Sequence, residues 1–113
     1  MSSIADNIGS VTRRIQKATL QAGREPGSVR LLAVSKTRPA EDLKAAFEAG
    51  QVAFGENYLQ EALDKMQALS GIEGIEWHFI GPIQSNKTRQ ITEAFAWVHS
   101  VDRLKIARRL SEQ

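Results

Sequence analysis

The chain has 113 residues, 42% hydrophobic and 25% charged, which bounds it to one globular domain with a modest core. Fifteen basic against thirteen acidic side chains leave a net charge of +2, too small an excess to mark a nucleic-acid binder. The absence of cysteine excludes a disulfide scaffold, a thiolate metal site and a cysteine nucleophile. No apolar run is long enough to span a membrane, and the opening MSSIADNIGSVTRR lacks the apolar centre of a signal peptide. A cytoplasmic protein is expected.

Ile4, Ile8, Val11, Ile15, Ala18 and Ala22 step by three and four residues, which predicts a helix from Ser3 to Ala22 with one apolar stripe. Gly23 ends it and Pro26 lies beyond. Leu31 to Ser35, LLAVS, is a continuous apolar run and predicts a strand covered on both faces. Pro39 opens a helix with Leu43, Ala46 and Phe47 inward, stopped by Gly50. A second strand follows at Val52 to Gly55. Asn57 then caps a helix carrying Leu59, Ala62, Leu63, Met66 and Leu69. Trp77 to Gly81 makes a third strand, on which Trp77 and Phe79 face away from His78 towards the helices. Ser85 or Asn86 caps a helix with Ile91, Ala94 and Phe95. Trp97 to Val101 makes a fourth strand, and Asp102 caps a last helix through Leu104, Ala107 and Leu110. The basic side chains Arg103, Lys105, Arg108 and Arg109 carry no interleaved aromatics and read as a solvated helix face.

Strand ends recur at roughly 20 to 25 residues, the length of one strand–helix unit. A βαβα order predicts an α/β fold of parallel strands. Four units make either a small open sheet or half of an eight-fold barrel, which needs ~250 residues. The chain stops within a helical pattern at Leu110 to Gln113, so a truncated barrel over residues 1–113, with open sheet edges, is expected.

Ligands bind at the carboxyl ends of parallel strands. Lys36, Asn57, Gly81 with Pro82, and His99 to Asp102 leave those ends. Lys36 follows the apolar run directly. Partly desolvated there, its amine would lose its proton more readily and add to an aldehyde. From position alone, a lysine that snorkels to water is the stronger reading. Asn57, in GENY, is either a hydrogen-bonding group or a plain helix cap. His78 is either a satisfied core histidine or an acid–base group. GPIQSNK, at Gly81 to Lys87, enters a helix whose N–H groups could meet an anion, but it lacks the Walker spacing. Two histidines without carboxylates at ligand spacing make a metal site unexpected.

LLAVSKTRP around Lys36, FGENYLQE at Phe54 to Glu61, EWHFIGPIQSNK at Glu76 to Lys87 and VHSVDRLKIA at Val98 to Ala107 form a connected set. In order and spacing this set closely resembles the pyridoxal phosphate homeostasis proteins, the YggS-like family, over essentially all 113 residues. The resemblance implies the N-terminal part of a (β/α)8 TIM-type barrel like that of alanine racemase: about four parallel βα units after a leading helix. It implies that Lys36 holds pyridoxal 5′-phosphate as a Schiff base, that Val34 and Asn57 line the pocket, and that His78 lies close by. It implies a role in vitamin B6 cofactor and amino-acid homeostasis without defined catalytic turnover, with no residue assigned as catalytic. The implied partners are the cofactor and pyridoxal phosphate-dependent apoenzymes, with neither nucleic acid nor membrane. The alternative is a fold-type III enzyme such as an amino-acid racemase. A third reading is a fragment that binds nothing and pairs through its open edges. Family members are about twice as long, and their phosphate-binding loops come from later strands. The full-length protein is expected to be a monomer, and this shorter chain to self-associate and to retain cofactor weakly.

Overall fold

The computed structural model describes residues 3–113; Met1 and Ser2, part of the expected domain, lie outside the described residues. The leading helix α1 spans Ile4–Gln21. Then alternate β1 (Ala33–Val34), α2 (Ala40–Glu48), β2 (Ala53–Glu56), α3 (Leu59–Ala68), β3 (Glu76–Phe79), a 3-10 turn (Ser85–Lys87) with α4 (Thr88–Ala94), β4 (Trp97–Val98) and α5 (Leu104–Glu112). The four strands form one parallel sheet in sequence order. Each strand is followed by a helix, as the alternating pattern predicts.

Ser3 caps α1 through a reciprocal capping box with Asp6. Gly23 and Gly50 follow α1 and α2 at φ of 72° and 103°, the conformation in which glycine escapes the Cβ penalty. The expected stripe on α1 holds only in part. Ile4 and Ile8 pack against the core, while Ala18 and Ala22 are exposed. Thr19 is the buried residue of this helix, because its hydroxyl donates to the Ile15 carbonyl at 2.7 Å and so loses its need for water.

Three expected caps are corrected. Tyr58, not Asn57, precedes α3; Arg103, not Asp102, precedes α5; and neither makes a side-chain cap bond. The segment after Ser85 begins as a 3-10 turn rather than a capped α-helix. A short polar residue makes a cap available, but packing of the apolar face chooses where the helix begins.

The core lies between the sheet and its helices. Leu43, Ala46, Phe54 and Leu69 form one cluster; Ala62, Phe79, Ile83, Ile91, Phe95 and Ile106 form another. Trp77 packs against both, and Phe79 meets Phe95 edge-on at 5.2 Å. Trp77 and Phe79 therefore face the helices and His78 faces the other way, as expected from the period of two.

The opposite face of the sheet is open at its two edges, while Gly55 and His78 between them are buried. Val34, paired with Gly55, is 55% exposed, and Trp97, paired with His78, is 57% exposed. The expectation that β1 is covered on both faces is therefore corrected: helices cover only one face. Among the described residues, β1 pairs only with β2 and β4 only with β3, which leaves both edges unpaired. The radius of gyration is 15.6 Å, larger than the ~13 Å of a compact domain of this length.

Candidate functional site

Backbone register aligns one row across the open face: Val34, Gly55, His78 and Trp97. Leu32 and Ile80 lie over Gly55, where an added Cβ would sit 3.2 Å from the end of Ile80. The floor of this face is thus apolar. His78 lies two strands from Val34, about 10 Å by inter-strand spacing.

Lys36 emerges at the carboxyl end of β1, on the turn after Ser35. Its side chain is exposed, in keeping with the snorkelling reading of its position, and the desolvation expected of an aldehyde-binding amine is not realised in this chain. The physical reason is the uncovered sheet face: nothing among the described residues closes over the strand end. The backbone around Lys36 is held firmly instead. The Ser35 amide donates to the Gly55 carbonyl at 2.9 Å, continuing the ladder past β1. The Ser35 hydroxyl donates to Glu56, and the Ser35 carbonyl accepts from Lys65 Nζ at 2.5 Å. On the other side, the Thr37 amide donates to Glu61 Oε1 at 2.5 Å. Thr37 has φ 62°, uncommon for a residue with a branched Cβ.

Those contacts belong to a buried ionic cluster beneath the lysine. Lys65 Nζ lies 3.0 Å from Glu56 Oε1, 3.1 Å from Glu56 Oε2 and 2.8 Å from Glu61 Oε1. Glu56 is fully buried and the Lys65 side chain is 7% exposed. The hydrogen bond from Lys65 holds the Glu61 carboxyl below the ordinary carboxylate range, against partial desolvation and with help from the Thr37 amide. Lys65 is buried, although nothing in its flanking residues sets it apart from a surface lysine. One signal was present: Glu61 and Lys65 stand four apart on α3, the spacing of a helix ion pair.

A second polar group occupies the row itself. His78 Nε2 lies 2.6 Å from Glu76 Oε1, and His78 Nδ1 lies 2.9 Å from His99 Nε2. A carboxylate only accepts, so Nε2 of His78 carries a proton; in the neutral ring Nδ1 then accepts from His99. The hydrogen bond from His78 holds the Glu76 carboxyl below its ordinary value, and Arg30, at 3.3 Å, acts in the same direction. His78 also stacks against Trp97 at 6.1 Å. Both of its ring nitrogens are engaged, so it offers a ligand no free nitrogen as it stands.

Asn57 is half-buried and follows β2 directly. Its backbone packs so tightly on Gly81 that an added Cβ there would collide with the Asn57 carbonyl. The glycine is required where the ends of β2 and β3 converge. The Ser85 carbonyl accepts from Thr88 at 3.1 Å and from Arg109 at 3.3 Å. Among the described residues no group of His, Asp and Glu has metal-binding geometry, and no helix is long and apolar enough to cross a membrane.

No family model matches the chain. Over all 113 residues it is 63% identical to a pyridoxal phosphate homeostasis protein of Pseudomonas aeruginosa and 50% identical, over 115 aligned residues, to one of Escherichia coli. It covers 49% of each, so the chain spans about half the length of the curated relatives it matches. Among solved structures, PipY of Synechococcus elongatus with pyridoxal phosphate bound matches at TM-score 0.75 and 44% identity, over 86% of this chain and 45% of PipY. Alanine racemase of E. faecalis matches at TM-score 0.60 and 20% identity, over 93% of this chain and 28% of the racemase, a likeness of fold alone. The four parallel βα units are thus barrel units of the alanine-racemase type.

Proposed function

Because the chain is homologous over its whole length to about half of a pyridoxal phosphate homeostasis protein, we propose that it binds pyridoxal 5′-phosphate through Lys36 and serves vitamin B6 cofactor and amino-acid homeostasis. The observation that carries this reading is an accessible amine on a fastened backbone at the carboxyl end of a parallel strand, above an open apolar floor. The group suits this setting. When bound, the cofactor supplies an aldehyde carbon to which an amine adds reversibly with loss of water. Lys36 would present the amine, Val34 and Gly55 would line the pocket, and Asn57 would offer a hydrogen-bonding amide at the next strand end. His78, with its nitrogens engaged, contributes through its position in the row.

The homeostasis role is preferred to racemase-like turnover because the curated relatives are named as homeostasis proteins, while the likeness to alanine racemase is one of fold alone. The role proposed is therefore holding the cofactor and passing it to apoenzymes, in the cytoplasm, as part of a single barrel domain. The unpaired edges of β1 and β4 favour self-association of this chain.

The test adds pyridoxal phosphate to the chain, follows the absorbance of the amine adduct, reduces it with borohydride and maps the labelled peptides. Excess label at Lys36, lost in Lys36→Ala, is expected. Label spread evenly over Lys36 and the exposed Lys17 and Lys44 refutes the reading. Lys65 is no control, being buried.

A further inference from the structure

The two peptide groups flanking Lys36 are each fastened by a side chain of the same helix. The carbonyl before Lys36, that of Ser35, accepts from Lys65 at 2.5 Å. The amide after it, that of Thr37, donates to Glu61 at 2.5 Å. Lys65 and Glu61 also pair with each other at 2.8 Å, one turn apart on α3. Glu56 anchors the pair from β2, accepting from Lys65 and from the Ser35 hydroxyl. Two bonds on opposite sides of one Cα determine the direction in which that residue's side chain leaves the backbone. They also hold Thr37 at φ 62°, a conformation that a threonine in a free turn would leave.

From this arrangement we infer that Glu61 and Lys65, resting on Glu56, are positioning residues that aim the Lys36 amine over the open face. The inference rests on the reading of Lys36 as the cofactor-binding amine. Neither Glu61 nor Lys65 needs to touch the cofactor. Their effect passes through the backbone: an amine held in one direction meets a bound aldehyde more often than one that swings with a loose turn.

Glu61 is the position to perturb, because its side chain is 30% exposed and its removal leaves the Lys65–Glu56 pair in place. Glu61→Ala removes the acceptor of the Thr37 amide. Glu61→Gln keeps an acceptor oxygen and removes the charge, so it restores the backbone bond. Labelling at Lys36 by pyridoxal phosphate and borohydride should fall about threefold to tenfold in the alanine variant, the worth of one charge-assisted bond on a partly exposed carboxylate. It should recover in Glu61→Gln, while labelling of Lys17 and Lys44 stays level and the melting temperature of the alanine variant falls by only a few degrees. Hydrogen exchange of the Thr37 amide, read by NMR without cofactor, gives a second measure: slow in the unsubstituted chain, about tenfold faster in Glu61→Ala, and slow again in Glu61→Gln. A merely structural role for Glu61 would not produce rescue by glutamine confined to one lysine. Fast exchange at Thr37 in the unsubstituted chain, or equal Lys36 labelling in Glu61→Ala, overturns the inference. Absence of any Lys36 excess in the unsubstituted chain overturns the cofactor reading instead.

Discussion

Lys65→Met keeps most of the length of a buried lysine and removes its charge, which isolates what the ammonium does. Four oxygens surround Nζ: two of Glu56 at 3.0 and 3.1 Å, one of Glu61 at 2.8 Å and the Ser35 carbonyl at 2.5 Å. Each acceptor keeps another donor when Lys65 goes. The Ser35 carbonyl still receives the Arg38 amide at 3.1 Å, Glu61 the Thr37 amide and Glu56 the Ser35 hydroxyl. Lost hydrogen bonds are therefore the smaller part of the cost. The larger part is the charge of Glu56, fully buried and left without a cation. At 3.0 Å and an effective dielectric of about 20, the attraction lost is about 5 kcal/mol, in line with the ~3–5 kcal/mol for breaking a buried pair. A domain of this size has only ~5–15 kcal/mol in all. Urea unfolding of Lys65→Met should show a destabilisation of about 3–5 kcal/mol at an unchanged slope. Adding Glu56→Gln removes the stranded charge and should recover about half or more of the loss, a coupling of at least about 2 kcal/mol in the double-mutant cycle once the cost of Glu56→Gln alone is counted. A single variant within about 1 kcal/mol of the parent, or additive single effects, would refute the argument that the pair acts as one buried unit.

Trp77→Ala should cost about 3 kcal/mol by thermal or chemical unfolding, at the low end of the aromatic range because the indole is only partly buried between the two clusters. His78→Ala, which removes a smaller and more polar ring from the opposite face, should cost clearly less, and equal losses at the two positions would contradict the observed alternation. The lowered Glu76 carboxyl gives a defined pH window. A group whose folded value is depressed contributes stability above its ordinary value of 4.5 and loses it as pH falls through the folded value. Glu76→Gln should therefore flatten the acid limb of a stability–pH curve below that point, and an unchanged limb would mean that the His78 bond does not persist in solution.

Much of the architecture was legible from periodicity, because burial on one face of a helix or strand imposes a repeat on the order of apolar residues. The strand at Glu76–Phe79 is the clearest case: its alternation placed Trp77 and Phe79 towards the helices and His78 opposite, as the packing bears out. The lysine at the end of the first strand, and the likeness carried by the motifs around it, could also be read from the chain. Cap positions could not. Asn57 and Asp102 had the right chemistry, yet α3 and α5 begin after Tyr58 and Arg103, because helix ends follow the packing of whole faces. Nor could Lys65 be told from a surface lysine, although its spacing to Glu61 hinted at a pair. Its burial depends on Glu56 turning towards α3 from β2 and on the Ser35 carbonyl arriving from β1, thirty residues away. The exposure of Lys36 matches the stronger reading of its position, but the fastening of its backbone was a tertiary outcome, for it depends on α3 lying beneath the end of β1. A one-dimensional pattern records which residues seek burial; which charges meet, and which side chain stands open to water, is decided only when separate strands come into register.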